Sequence, residues 1–463
     1  MLKKTTILFT LMLFCGAELF PLPAQAISPS KEEALSVQFM QEVRKRFEMV
    51  DDPVVVRYVE ALGNRIVRVL PPQPFQYQFF VINKPSYNAF AGPGGSIFIH
   101  SGLIDAMDNE HELAGILGHE ITHVHARHIS DRIARSKKIG IVTLAGLVSA
   151  IALGATGVGS VASAAVLGSV AAGKSMELAY TREDETQADQ LGLEFLVQAG
   201  FNPQGLLTVM EKIRQQQWFG TDQIPTYLRT HPLADDRVAY LSSWIARKKE
   251  DTSLVPMHTT SVDFLKVRNR IKAMYGDIHS AEAFFQHRID KVPTDGMARY
   301  GAALVAERKE AYETAIKRLK KVVSRYAFDT DILGDLGRVY FKAGHYQKAK
   351  QVLSSVLAQN PAQLAGRYYL GRTDLELGNT DEALASFEAV AQKMPAYYRN
   401  AYFLARVYGQ KGRRAEAYYQ LGCWYDHKND AAAAIAQYKK ALQLTKNPKK
   451  KKVITDRIKA LRR

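Results

Sequence analysis

Cysteine is almost missing from this 463-residue chain: Cys15 and Cys423 are its only two. Cys15 falls in an N-terminal stretch that reads as removable. Lys3 and Lys4 precede an apolar run from Ile7 to Gly16, and Ala24-Gln25-Ala26 follows. That is the pattern of a secretory signal ending at a small-x-small cleavage site. The run is too short to cross a bilayer as a permanent helix, and bulky Phe14 ahead of Cys15 makes a poor lipoprotein cleavage site. Cleavage after Ala26 leaves Cys423 alone, packed between helices. A single cysteine excludes a disulfide framework within the chain and any metal site built from several cysteines.

Charge is missing from one long stretch and acid from another. Residues 139–173 hold no charged side chain. The length admits a membrane-spanning helix, but Gly154, Gly157 and Gly159 would interrupt it. A hairpin of two short apolar helices is expected, covering a site or dipping into a leaflet. Toward the end, nine basic residues from Lys446 to Arg463 face one acid, Asp456, and supply half of the net charge of +16. This reads as a solvated, frayed basic tail, or as a contact with anionic lipid headgroups or an acidic partner. Nucleic acid is not an expected partner of an exported chain.

Periodicity fills in the rest. Residues 30–69 carry a helical pattern that ends at Pro71-Pro72. "FQYQFFVIN" (75–83) alternates as a strand, "NAFAGPGG" is a turn-rich loop, and "SIFIHSG" follows as a second strand. A helix is predicted to begin near Asn109, and helical periodicity resumes from Met176 to about Arg247. Beyond a polar linker near residue 255 a period of 34 sets in. It links Gly344, Gly378 and Gly412, then Ala349, Ala383 and Ala417, then Pro361 and Pro395. A glycine in the turn, a small alanine on the second helix and a closing proline mark tetratricopeptide repeats, whose helix pairs bury their apolar faces only by stacking. The segment 306–326 reads as a degenerate earlier unit. After Gly412 the register slips, so the last units are irregular or share a helix.

The chemistry is concentrated in "GHEITHVHARH", residues 118–128. His119 and His123 are four apart on a predicted helix, so both rings leave one face and can meet at one cation. Glu120 between them can reach a water beside that cation. Two imidazoles, an open position and a carboxylate base make the zinc-protease arrangement. His125 sits about 200° round the helix from His123; it and His128 read as surface or supporting histidines. One class of zinc protease places a glycine and a third histidine three and six residues after the second; Ala126 and Ile129 stand there, which excludes it. In "TREDETQADQLG", Glu185 and Asp189 share a helical face. Glu185 can supply the third ligand, with Glu183 and Asp184 as competitors, and Asp189 can accept the free ring N–H of a ligating histidine.

"NAFAGPGG", "ELAGILGHEITHV", "YTREDETQADQLG" and "RTHPLADDRVAYL" occur in an order that resembles the gluzincin metallopeptidases related to the CAAX prenyl protease and the heat-shock membrane protease. The resemblance spans about Ser30 to Arg247 and, with the repeats behind it, extends to the periplasmic β-barrel assembly-enhancing proteases. It implies one zinc ion held by His119, His123 and Glu185, with Glu120 as base. It also implies His231 near the metal, as transition-state donor or reversible fourth ligand, and Arg237 in the same motif; either His231 or Arg237 is expected to act catalytically as second donor to the oxyanion. Thr181 stands where the family more often has serine. The expected fold is an α+β zincin-type metallopeptidase domain, mostly helical with a small β-sheet, over 27–255. A helical connector (256–295), an all-α tetratricopeptide solenoid (296–446) and the basic tail (447–463) follow. The expected activity is endoproteolysis of unfolded or misassembled envelope proteins in the periplasm, in outer-membrane quality control, with the strand Ser96, Ile97, Phe98, Ile99, His100 as the edge to which substrate adds. The repeats are expected to dock substrate or an outer-membrane assembly machine, and a chaperone or scaffold with a self-blocked zinc site is the alternative.

Overall fold

The computed structural model describes residues 27–138, 148, 180–219, 226–232, 235–251, 254–257, 261–394, 397–428 and 430–462. The expected signal peptide and, apart from Val148, the apolar hairpin 139–173 lie outside the described residues. No described helix is long and apolar enough to cross a membrane.

The N-terminal half opens with two helices, α1 (Pro29–Arg46) and α2 (Pro53–Val67). Asp52 caps α2 by accepting the N–H groups of Val54 and Val55, and Pro53 takes a first-turn position where its missing N–H is harmless. Three strands follow: β1 (Gln78–Ile82), β2 (Ala89–Ala91) and β3 (Ser96–His100), in the order β1-β3-β2. β3 runs parallel to β1 and antiparallel to β2. The expectation of a free edge at Ser96–His100 is therefore wrong. That strand is central, both its ladders are taken, and all five of its residues are buried. The partner that fills it, β2, lies inside "NAFAGPGG"; three residues are too few to show alternation. The chain reverses through Gly94 and Gly95, both at positive φ (70° and 84°).

Among the described residues of this half seven more helices are delimited: α3 (Ser101–Ala106), α4 (Glu110–His125), α5 (His128–Lys138), α6 (Arg182–Gln198), α7 (Gln204–Phe219), α8 (Thr226–Thr230) and α9 (Asp235–Asp251). Asn109 caps α4, and every residue of α4 from His111 to Val124 is buried. Glycines let its neighbours approach closely. A Cβ at Gly115 would stand 2.6 Å from the Leu206 backbone nitrogen of α7, and one at Gly118 would stand 3.1 Å from Leu196 of α6. This close packing lays the acidic start of α6 across the histidine motif of α4.

Every element delimited among the described residues of the C-terminal half is a helix. These are α10 (Val262–Tyr275), α11 (Ile278–Lys291), α12 (Gly296–Arg308), α13 (Tyr312–Val323), α14 (Thr330–Lys342), α15 (Tyr346–Gln359), α16 (Leu364–Glu376), α17 (Thr380–Lys393), α18 (Tyr398–Gln410), α19 (Arg414–His427), α20 (Ala431–Leu444) and α21 (Pro448–Leu461). Gly344, Gly378 and Gly412 turn between paired helices at φ of 78°, 81° and 72°, and Ala349, Ala383 and Ala417 are buried behind them. The earlier unit is regular: Glu310, one period before Gly344, adopts the same left-handed backbone at φ 59°. The slip after Gly412 is a shared helix. Residues Gly337, Gly371 and Gly422 each sit against a large side chain sixteen positions on, Leu353, Phe387 and Tyr438. So α19 closes the pair begun by α18 and opens the pair with α20. Partly buried Cys423 lies here, its Sγ 3.5 Å from the Tyr438 hydroxyl.

The expected frayed tail is instead α21, which buries Ile454 and Ile458. These residues are four apart and share a face; the lysine run ahead of them hid that signal.

The halves are joined through α10. Buried Arg270 donates to Asp52 at 2.5 Å and to Tyr300 at 2.6 Å, and also pairs with Asp335. Around it, Arg57 grips Asp331 through two 2.7 Å bonds, Lys266 meets Asp329 at 2.8 Å, and Arg399 meets Asp51 at 2.8 Å.

Candidate metal centre

Four side chains from three places in the chain converge. On α4, His119 Nε2 and His123 Nε2 are 3.1 Å apart. Glu185, on the first turn of α6, brings Oε2 to 3.5 Å from His119 Nε2 and Oε1 to 3.5 Å from His123 Nε2. His231, just after α8, sets Nδ1 2.9 Å from Glu185 Oε1 and 3.3 Å from His119 Nε2. All four are essentially inaccessible to solvent, and each offers a ligand atom within 4.8 Å of the others. Zinc–ligand bonds of 2.0–2.1 Å in a tetrahedron imply ligand–ligand edges of about 3.3 Å, so this donor set fits such an ion.

The local sequence selects Glu185 from its neighbours. Thr181 caps α6 by accepting the Asp184 N–H at 3.1 Å, and the Asp184 carboxylate accepts the Thr181 N–H at 3.0 Å. That reciprocal pair occupies Asp184 and leaves Glu183 exposed, while Glu185 turns inward and is buried. Threonine serves this cap as serine would.

One turn on, Asp189 Oδ1 lies 3.0 Å from His119 Nδ1. Asp189 is itself gripped by Arg237, Nε to Oδ2 at 2.7 Å and Nη2 to Oδ1 at 2.9 Å. Arg237 Nη1 sits 2.5 Å from Glu185 Oε2 and 2.9 Å from the Pro232 carbonyl. This revises the expected catalytic part for Arg237: its donors are engaged on carboxylates and backbone, so it positions Glu185 and Asp189. Burial opposes ionisation of both, but His231 and Arg237 outweigh it and hold Glu185 well below the usual carboxylate range. His119 and Arg237 likewise hold Asp189 down. Burial lowers His119 too, yet Asp189 and Glu185 overcome it and raise the ring to about 9. Burial prevails at His123, which falls well below its ordinary value.

Glu120 is fully buried, and neither of its carboxylate oxygens has a hydrogen-bond partner among the described residues. Its Oε1 is 3.4 Å from His231 Nε2, and burial raises its pKa. A carboxylate left unpartnered beside a cluster of ligand atoms is poised to carry a proton. Two tyrosines that sequence reasoning missed wall the site. Tyr180 stacks on His123 at 3.7 Å, and Tyr227 stacks on His231 at 4.5 Å. Their signal was positional: Tyr180 adjoins the α6 cap, and Tyr227 precedes His231 by one turn. His128 reaches His123 from behind, Nδ1 to Nδ1 at 2.9 Å, whereas His125 faces Gln73 at 2.9 Å and takes no part. The five residues of β3 are not brought into the cluster.

Both halves of the chain resemble known proteins. The model of peptidase family M48 matches residues 54–245, and tetratricopeptide-repeat models match residues 306–370, 365–396 and 415–448. The beta-barrel assembly-enhancing protease of Escherichia coli K12 is 26% identical over 396 residues, covering 78% of this chain and 80% of that protein. A Vibrio cholerae protein named after the same protease is 30% identical over 391 residues, covering 75% and 78%. The mitochondrial metalloendopeptidase OMA1 of Schizosaccharomyces pombe is 28% identical over 198 residues, covering 42% of this chain and 55% of that one. The chain is a metallopeptidase that belongs to peptidase family M48, in the group of the beta-barrel assembly-enhancing proteases.

Proposed function

We propose that the chain is an exported, zinc-dependent endopeptidase that cleaves unfolded or misassembled envelope proteins in outer-membrane quality control. The observation that carries this reading is the approach of two histidine Nε2 atoms and the Glu185 carboxylate to within 3.1–3.5 Å of one another, beside the unpartnered Glu120. His119, His123 and Glu185 would hold the ion, which when bound acts as a Lewis acid on a peptide carbonyl and acidifies water. Glu120 takes the proton from the attacking water and passes it to the departing amine as the peptide bond breaks. The raised pKa of Glu120 suits that double task. His231, flexed away from Glu185, can donate to the developing oxyanion. Arg237 and Asp189 keep Glu185 and His119 aligned throughout.

The site as it stands admits no substrate: His119, Glu120, His123 and His231 have no solvent exposure. Access therefore requires the elements that cover these side chains to withdraw. Substrate pairing falls to the sheet margin at β2, since β3 is enclosed and the segment 48–50 already bonds the end of β1. The names of the relatives support a role in β-barrel assembly, with the repeats docking substrate or assembly machinery. The apolar segment 139–173 and the lysines opening α21 would supply a contact with the membrane surface, in the periplasm.

The complete burial of the site with His231 among the ligand atoms favours a second reading, a chaperone or scaffold whose zinc site is self-blocked. Glu120→Gln separates the two. Under the first reading it abolishes cleavage of unfolded outer-membrane protein, and with it the cellular function, while zinc stoichiometry stays at one. A variant that still complements a deletion strain fully would sink the peptidase reading.

A further inference from the structure

The two histidine ligands are supported in different ways. His119 leans on a carboxylate, but His123 leans on a second imidazole that the reaction itself does not use. We propose that His128 is the positioning residue of His123, the middle member of a relay from the metal site to the surface of α6. This inference rests on the metallopeptidase reading and adds a residue to it.

Hydrogen accounting fixes the arrangement. His123 turns Nε2 toward His119 Nε2 (3.1 Å) and Glu185 Oε1 (3.5 Å), so a ligating His123 carries its proton on Nδ1. That Nδ1 lies 2.9 Å from His128 Nδ1. Only one of two facing ring nitrogens can hold the hydrogen, so His128 Nδ1 accepts and the hydrogen of His128 sits on Nε2. There it donates to Gln187 Oε1 at 2.9 Å. One tautomer of each ring satisfies all three distances. The backbone is arranged to the same end. His128 is buried and opens α5 directly after Arg127, which takes a left-handed conformation (φ 66°) uncommon for a side-chain-bearing residue. Arg127 is tied down by 2.8 Å to the Ile27 carbonyl and 2.9 Å to Glu32. The turn it holds swings His128 back beneath α4. Gln187 stands two residues after Glu185, so α6 supplies both a ligand and the end of the relay. A site that already buries Glu120, Glu185 and Asp189 thereby gains a second ligand support without burying another charge.

The test is zinc affinity of the purified full chain, measured by competition with a chromophoric chelator, alongside the absorption spectrum of the cobalt-substituted protein. His128→Phe should weaken zinc binding about 10–100-fold and shift the cobalt bands. His128→Asn, whose amide oxygen stands where Nδ1 stood and can accept from His123 Nδ1, should restore the parent affinity to within a few-fold and the parent spectrum. Gln187→Leu changes an exposed position, so it reports even where the Phe variant fails to fold; it should weaken zinc by about threefold to tenfold. Parent affinity in His128→Phe or Gln187→Leu, or an Asn variant as weak as the Phe variant, overturns the relay. His119→Ala is the control for the underlying reading: if the parent binds no zinc, or His119→Ala binds it undiminished, the metal-site reading fails and the relay with it.

Discussion

The two halves of the molecule bury different things. In the peptidase half a polar cluster is buried as deeply as the apolar core around it: His119, Glu120, His123, Glu185, Asp189 and His231 are all at or below 1% exposure. They come from three places in the chain, α4, α6 and the residue after α8, and each occupies its place once. In the repeats what recurs is small and apolar: a single contact, glycine against a large side chain one helix on, returns from unit to unit, with a buried alanine behind each turn. A polar cluster of the first kind adds little stability, because desolvation offsets much of what its ion pairs gain. Repeated packing of the second kind supplies stability and shape, with the load shared between neighbours. Function should therefore be fragile and local in the first half, and stability distributed in the second.

The widest separation is expected from one substitution on each side. Glu120→Gln should lower peptidase turnover by about 10²–10⁴-fold with the melting temperature unchanged or slightly raised, since a buried, unpartnered carboxylate is removed. Leu353→Ala, facing Gly337 in the repeats, should cost about 2–5 kcal/mol of stability while zinc stoichiometry is preserved. Turnover and calorimetry on both variants check the contrast; equal loss of activity in the two would break it.

The junction belongs to neither pattern, and Arg270 tests it. The guanidinium is 1% exposed and neutralises Asp52 of one half and Asp335 of the other. Arg270→Met leaves both carboxylates buried without it, and should cost about 3–5 kcal/mol. Because the two halves share this group, the loss should appear as uncoupling: two unfolding transitions in place of one, and faster proteolysis of the linker near residue 255.

Acid sharpens the same comparison from the repeat side. Burial would raise Glu307, but Arg338 at 2.7 Å and Lys342 at 2.8 Å overcome it and hold the carboxyl at about 2. A carboxylate depressed on folding stabilises the folded state above its unfolded pKa, and that contribution disappears as pH falls through the folded value. About 3 kcal/mol should thus be lost between pH about 4.5 and about 2. Glu307→Gln should remove that limb of the stability curve, as followed by urea denaturation across the range.

What the sequence disclosed, and what it withheld, divides by range. His119 with His123, Glu185 with Asp189, and the columns through Gly344, Gly378 and Gly412 are regularities of spacing, so a linear text carries them. β2 escaped because Ala89–Ala91 is too short to alternate, and its loss turned a central strand into an imagined edge. α21 escaped because lysines surround the isoleucines that dock it. Arg237 was located by its motif, but the carboxylates that engage it could only be seen in space. The pairing of Asp52 with Arg270 spans 218 residues and has no local marker at all.

The smallest effect concerns one backbone position. Glu310 occupies the left-handed turn that glycine fills at Gly344, Gly378 and Gly412, at φ 59° against 78°, 81° and 72°. An L side chain there crowds its own carbonyl, whereas glycine does not. Glycine in turn gives the unfolded chain more freedom to lose, which offsets part of the gain. Glu310→Gly should therefore stabilise the chain by about 0.5–1 kcal/mol, and Gly378→Glu, where nothing lies within 4 Å to clash, should destabilise it by a similar amount. Opposite signs in urea titrations of the two variants would mean that the turn conformation alone sets the energy. A destabilised Glu310→Gly would mean that the first unit, packed nearest the peptidase half, owes its order to that side chain, and that the repeats are less uniform than their period suggests.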